Sequence, residues 1–430
     1  MRIAIVTAGG AGMFCGSCMH DNTWARSLMG LGLEVTLIPT YTPIRVDEAN
    51  ASLGRVFMGG LNVYLNARWK PWRYVPRFMQ RLIDQPWLIR WATQMAVSNE
   101  ASELGDLTIS MLSGEHGPHA AAGAELVQYL TSELRPDVVI FSNALLAGVL
   151  PQLRAKFPGP IVCVLQGDDV FLDGLAESYR RQAIDLITQY SQHFDLFLTH
   201  TRFYRDYMAR YLGLPHQKFQ VVPLGIDLTG HTGEPRIRQD HPFTVGYFAR
   251  IAPEKGLHHL VAAFRQLKDQ VPEARLKLGG YLSPHQQGFL DESLKLAGEF
   301  RSDVSYVGSP PDHAGKVDFL NSIDVLSVPT EFLEPKGIYV LESLANGIPV
   351  VQPAHGSFPE LIEATAGGIL VPPRDIAALA QALVNMSDPE IRMKYASHGW
   401  HALREFHTSE ISARRTWELL DHMLSKRSIS

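Results

Sequence analysis

Short apolar runs rich in β-branched residues alternate with stretches of helical spacing along most of the chain. RIAIVTA (2–8) reads as a strand, DNTWARSLMGLGL (21–33) as a helix and EVTLIPTY (34–41) as the next strand. Further strands are predicted at DVVIFS (137–142), IVCVLQ (161–166), LFLTH (196–200) and FQVVP (219–223), with helical patterns between them. This alternation predicts βαβ units around a parallel sheet. It breaks over LGIDLTGHTGEPRIRQDHP (224–242), which is rich in Gly, Pro, His and charge and predicts a linker. It then restarts with FTVGYF (243–248), RLKLGG (275–280), VSYVG (304–308), DVLSVP (324–329), IPVVQP (348–353) and GGILV (367–371). The expectation is two α/β halves of similar size. Ligands of open parallel sheets bind beyond the carboxyl ends of the strands, so two such halves predict a cleft between them.

Composition narrows the class. The chain has 430 residues, 46% hydrophobic, and a formal net charge of −5. Nothing in that balance calls for a nucleic-acid partner. No run of 18 apolar residues predicts a membrane span, and glycines stop the opening apolar run before it reaches signal-peptide length. Three cysteines make no disulfide framework. The expectation is a cytoplasmic globular protein. Residues 61–91 depart from the alternation, holding four of the seven tryptophans and six Arg/Lys against Asp84 alone. Two readings stand for this segment: an insertion packed on its own domain, or a basic aromatic face for an anionic acceptor or the inner membrane surface.

The richest chemistry lies in PTEFLEPKGIYVLESLANGIPVVQP (329–353). A strand ends near Pro329, Pro335 is placed to open a helix, and Gly347 to close it. Glu334 and Glu342 would then stand about 12 Å of helical rise apart, one at the helix mouth and one two turns in. The free N–H groups between them would suit an anion. A ligand with hydroxyls at both ends and phosphate in the middle, such as a nucleotide sugar, matches that arrangement. In FTVGYFARIAPEKGLHHLVAAFRQL (243–267), Arg250 and Lys255 occupy a strand-to-helix loop ahead of an apolar helix face. By themselves two such cations read as solvated charges; near a leaving diphosphate they could replace a metal.

Taken together, Glu334–x7–Glu342 inside EPKGIYVLESLANGIPVV, the ARIAPEKG loop, VVPLGID (221–227), SFPELI (357–362) and GGILVPPRD (367–375) resemble the retaining glycosyltransferases of family four. The resemblance covers the second half almost continuously and the first half more weakly. It implies an α/β GT-B fold of two facing Rossmann-like domains. The first is expected over 1–225 on the acceptor side, joined by a C-terminal helix at 406–430; the second, over 226–405, binds the nucleotide sugar. It implies catalytic roles for Glu334, Arg250 and Lys255. Glu342 would hold the donor ribose, and Gly337 and Ile338, with their N–H groups, would close over sugar and phosphate. The expected donor is a UDP-, GDP- or ADP-sugar, with no cofactor and no metal. The expected acceptor is a carbohydrate, a lipid-linked or a small molecule.

Two departures bear on activity. Lys336 stands where the family commonly has an aromatic residue; it either adds charge beside an anionic donor or points to solvent. Gln166, in VLQGDDV (164–170), stands where the family has histidine. If it faces the ligand it can orient the sugar but cannot titrate. These departures motivate the alternative of an inactive sugar-nucleotide-binding protein on the same scaffold.

The opening loop GGAGMFCGSCMHDN (9–22) has three readings: a glycine-rich ligand loop, a C-x-x-C redox pair and a metal site. The glycines carry the strongest argument. Gly10 is assigned to the donor, and Gly12, Cys15 and His20 to the acceptor-side loop, with Asp21 or Asn22 starting the next helix. Cys15 and Cys18 then read as small packing residues. His258 and His259 are a weak metal signal and read as a helix start.

Overall fold

The computed structural model describes residues 1–9, 15–58, 104–237 and 241–429. Gly10 and Gly12 of the opening loop, and the basic aromatic segment 61–91, lie outside the described residues. The chain divides into two compact units, Met1–Pro223 with Ser412–Ser430, and Leu224–Ile411.

The first unit is built on strands β1 (Arg2–Thr7), β2 (Glu34–Pro39), β3 (Val138–Phe141), β4 (Ile161–Val164), β5 (Leu196–Thr199) and β6 (Phe219–Val221). They form one parallel sheet in the order β2-β1-β3-β4-β5-β6. Strands β3, β4 and β5 are buried along their whole length. Helices cover both faces of such a sheet, which is why these strands read as continuous apolar runs. The helix Ser409–Ile429 belongs mostly to this unit. Its Ala413 and Leu420 are fully buried with Trp24 and Leu28, and Trp24 Nε1 donates to Thr416 Oγ1 at 3.1 Å.

The second unit holds β7 (Thr244–Phe248), β8 (Arg275–Gly279), β9 (Val304–Tyr306), β10 (Val325–Leu326), β11 (Val350–Pro353) and β12 (Gly368–Val371). The parallel order is β12-β11-β10-β7-β8-β9. Chain direction across the sheet reverses between β7 and β10, the arrangement of a dinucleotide-type Rossmann sheet. Val245 and Gly246 of β7 pair with Val325 and Leu326 of β10. The loops leaving these two strands therefore emerge side by side at the carboxyl edge. One carries Arg250 and Lys255, the other Glu334. The expected apolar face of the following helix is realised, with Leu257, Leu260, Val261, Phe264 and Leu267 all fully buried.

Two helix starts differ from the sequence reading. The first helix spans Gly16–Gly30, so Asp21 and Asn22 lie inside it, fully buried, and do not start it. Aspartate competes with the helix backbone for hydrogen bonds and is disfavoured in helix interiors. Here tertiary partners override that preference: Thr7 Oγ1 donates to Asp21 at 2.7 Å and Gln166 Nε2 at 2.8 Å. The second difference concerns Pro335. The helix begins at Ile338 and runs to Ala345, with Gly337 preceding it at φ +67°. Glu342 is thus little more than one turn into the helix rather than two, and Glu334 stands in the loop ahead of it.

Candidate functional site

At the sheet reversal of the second unit, Gly256 lets the β7 loop approach the β10 loop. It has φ +71°, and a Cβ there would collide with the Pro329 carbonyl. Glu331 N–H donates to Glu254 O at 2.9 Å, tying the same two loops together. The result places Lys255 Nζ 2.9 Å from Glu334 Oε2, although the residues are 79 positions apart.

Glu334 is only 6% exposed and saturated with donors. Besides Lys255 it accepts from Tyr339 OH at 3.1 Å and from Gly337 N–H at 3.3 Å. Burial favours its protonated form, but the Lys255 ammonium and these donors outweigh burial and hold the carboxyl below its usual range. The Tyr339 hydroxyl is pushed well above its ordinary value, first by burial and then by the Glu334 charge. Lys255 Nζ also lies 4.6 Å from the Phe332 ring centroid and 5.4 Å from that of Tyr339. Cation, carboxylate, two aromatic faces and a helix N-terminus thus converge on one spot. Gly337 cannot be replaced there without strain: beyond its positive φ, a Cβ would come within 3.0 Å of Leu361 Cδ1.

Glu342 is 7% exposed and accepts from Lys316 Nζ at 2.7 Å. Lys316 sits on the helix His313–Asn321 among buried Val317, Phe319 and Leu320. Asn346 donates to the Glu342 carbonyl at 2.9 Å and meets His231 Nδ1 at 2.8 Å. Burial, then the neighbouring His313 and Lys316, push His231 down to about 3, so its imidazole is neutral at physiological pH. Arg250 is half exposed and paired with Glu254. Lys336 is 6% exposed. Its alternative of pointing to solvent is therefore overturned: the chain folds it inside, between Pro335 and the helix start. Ile338 opens that helix.

In the first unit, the β1 and β3 ends flank another sheet reversal. Gln166 is 5% exposed there, and its amide nitrogen donates to Asp21 Oδ1 at 2.8 Å and to Ser142 O at 3.2 Å. Its donor hydrogens are engaged within this network. His20 is buried, its ring 4.5 Å from that of His200, whose Nδ1 lies 3.0 Å from Val222 O. Asp168 and Asp169 are both buried. Asp168 accepts from Ala144 N–H and Asp169 from Tyr204 OH. Burial pushes both carboxyls up to about 6. Cys15 is partly buried and Cys18 is buried.

Sequence reasoning missed Lys316, Tyr339, Thr7, Ser142 and Asp21 as partners in these networks. Lys316 left one trace, a lysine at an apolar position of a helical pattern. The others left none, because hydrophobic periodicity does not show which polar side chains meet.

Known proteins supply the class. A family model described as "Glycosyl transferases group 1" matches residues 234–399, and one described as "Glycosyltransferase Family 4" matches residues 105–229. Residues 105–229 and 234–399 are thus similar to glycosyltransferase domains, and the two parallel Rossmann-like sheets have the GT-B fold. Among particular relatives, the colanic acid biosynthesis glycosyltransferase WcaL of Escherichia coli is 33% identical over 181 residues, covering 41% of this chain and 44% of that protein. The amylovoran biosynthesis glycosyltransferase AmsK of Erwinia amylovora is 28% identical over 253 residues, covering 57% and 59%. The chain thus matches about half the length of these relatives. The same fold occurs in a sucrose-phosphate synthase from Thermosynechococcus elongatus (TM-score 0.70, 18% identity, 99% of this chain and 100% of that one). It occurs also in Anabaena HepE in complex with UDP-glucose (TM-score 0.64, 19% identity, 98% and 100%). Among the described residues, no helix is long and apolar enough to cross a membrane.

Proposed function

We propose that the chain is a retaining glycosyltransferase that moves a sugar from a nucleoside-diphosphate sugar to a carbohydrate or lipid-linked acceptor without needing a metal. The observation that carries this reading is the Glu334 carboxylate held among Lys255, Tyr339 and the Gly337 N–H at the head of a helix. An ionised carboxylate saturated with donors suits sugar hydroxyls, which can exchange for those donors one by one. The leaving diphosphate draws on Lys255, on Arg250 and on the positive end of the helix Ile338–Ala345. Their combined charge stabilises the departing phosphate, the service a divalent ion gives elsewhere. Glu342 is assigned to the ribose and Lys336 to the donor's anionic part. Acceptor recognition is assigned to the first unit, whose loop after β1 leads through Cys15 into His20.

For a retaining reaction the acceptor approaches the face the diphosphate leaves. The acceptor hydroxyl proton passes to the departing phosphate oxygen, the acceptor oxygen bonds the anomeric carbon, and the anomeric C–O bond to the phosphate breaks. This route needs no protein base, in keeping with Gln166 at its position. The reading is tested by a thermal-shift screen of UDP-, GDP- and ADP-sugars, followed by transfer from the stabilising donor in excess chelator. Retained anomeric configuration in the product by NMR is expected. An inverted product, or strict dependence on a divalent ion, overturns the respective part of the proposal.

A further inference from the structure

Outside the sugar-nucleotide residues, three potential ligands converge on one point. His258 and His259 open the helix Leu257–Leu267, and Glu331 lies in the loop after β10, 72 positions from His259. His258 Nε2 is 3.1 Å and His259 Nε2 3.0 Å from the same oxygen, Glu331 Oε1. Neighbouring helix positions point about 100° apart, yet the two imidazoles meet with ring centroids 4.0 Å apart. The three ligand atoms all lie within 4.8 Å of one another. In a tetrahedral site with bonds of 2.0–2.1 Å, ligand atoms stand about 3.3 Å apart, so both histidine-to-glutamate distances are close to that edge.

We propose that His258, His259 and Glu331 form a binding site for a divalent transition ion of the zinc class, supplying two imidazole nitrogens and one carboxylate oxygen. Two histidines and a glutamate are a donor set used for zinc, leaving a fourth position for water or a ligand oxygen. Arg374 holds the other carboxylate oxygen, Oε2, at 3.2 Å and leaves Oε1 to the ion. The ligands can be reached from solvent, with side chains 29%, 16% and 30% exposed for His258, His259 and Glu331.

The ion would bridge the helix that follows Lys255 to the loop that precedes Glu334. It would reinforce the Glu331-to-Glu254 backbone bond there. This role is distinct from the transfer chemistry and stands whether or not that reading holds.

The test uses the tag-free full chain, dialysed against chelator and titrated with Zn2+ in competition with a chromophoric chelator. Co2+ serves as a second, spectroscopic probe. One equivalent should bind, with visible Co2+ bands of nitrogen and oxygen ligands and no intense thiolate charge-transfer band. His259→Gln and Glu331→Gln should each weaken binding at least about tenfold, with unchanged far-UV circular dichroism. A Cys15→Ser/Cys18→Ser variant should bind as the parent does. Absence of saturable binding to the parent chain overturns the proposal. So does binding that survives both ligand substitutions, or one that is lost with the cysteines and carries the thiolate band.

Discussion

Replacing Lys316 by methionine is the sharpest probe of how the second unit accommodates the buried Glu342. Methionine matches the length of the lysine stem and suits the apolar surroundings of Val317, Phe319 and Leu320. What the substitution removes is the ammonium 2.7 Å from Glu342 Oε1, in a pair whose side chains are 7% and 9% exposed. Removing one partner of a buried pair leaves an uncompensated charge and costs about 3–5 kcal/mol. For a unit of this size, each kcal/mol lowers the melting temperature by about 2–4 °C, so the expected drop is roughly 6–20 °C. The pair as a whole need not be stabilising, since removing both partners together also removes the desolvation of both charges. Lys316→Met combined with Glu342→Gln should therefore recover most of the loss. The assay is a double-mutant cycle by urea unfolding, following a signal from the second unit because two units need not unfold together. A cost below about 1 kcal/mol for Lys316→Met, or additive single mutants, would refute the reasoning.

Three further outcomes follow from the same geometry. Lys255→Ala should lower kcat by about 10²–10³-fold while nucleoside diphosphate still binds; near-parental turnover would remove Lys255 from the diphosphate role. Gly256→Ala should destabilise the chain markedly and abolish turnover, because the Cβ meets the Pro329 carbonyl at φ +71°; normal melting and kinetics would contradict the loop contact. The buried acids make stability depend on pH with two signs. Asp168 and Asp169, raised from 3.8 to about 6, bind protons more tightly when folded, so their contribution to stability declines as pH rises from about 4 to 6. Glu334, held below 4.5, adds stability fully present above 4.5 and lost as pH falls through its lower folded value. In the pH 4–6 window Asp169→Asn should reduce the slope of unfolding free energy by up to about 1.4 kcal/mol per pH unit; an unchanged slope counts against the raised value.

Glu334 shows both the reach and the limit of the linear chain. The strand before it and the helix after it are visible as DVLSVP and IYVLESLA, because a sheet covered on both faces demands uninterrupted apolar runs. All twelve predicted strand segments contain a strand in the structure. Placing Arg250, Lys255 and Glu334 in loops at strand ends required only that local pattern. The helix start was misplaced at Pro335 because proline favours the first turn in general, whereas here Gly337 takes the left-handed turn that actually opens the helix.

What the sequence determined by itself is the succession of buried strands and amphipathic helices, together with the residue types stationed at the strand ends. Burial periodicity is a local property, and each segment states it alone. Only the tertiary structure decided the partners: Lys255 for Glu334, Lys316 for Glu342, Asp21 for Gln166, Glu331 for the two histidines. Those pairs span separations of 79, 26, 145 and 72 positions. They exist because the sheets reverse direction between β1 and β3 and again between β7 and β10. Strand order, which no local pattern encodes, therefore sets which charges neutralise one another and which carboxylates can stay ionised inside the protein.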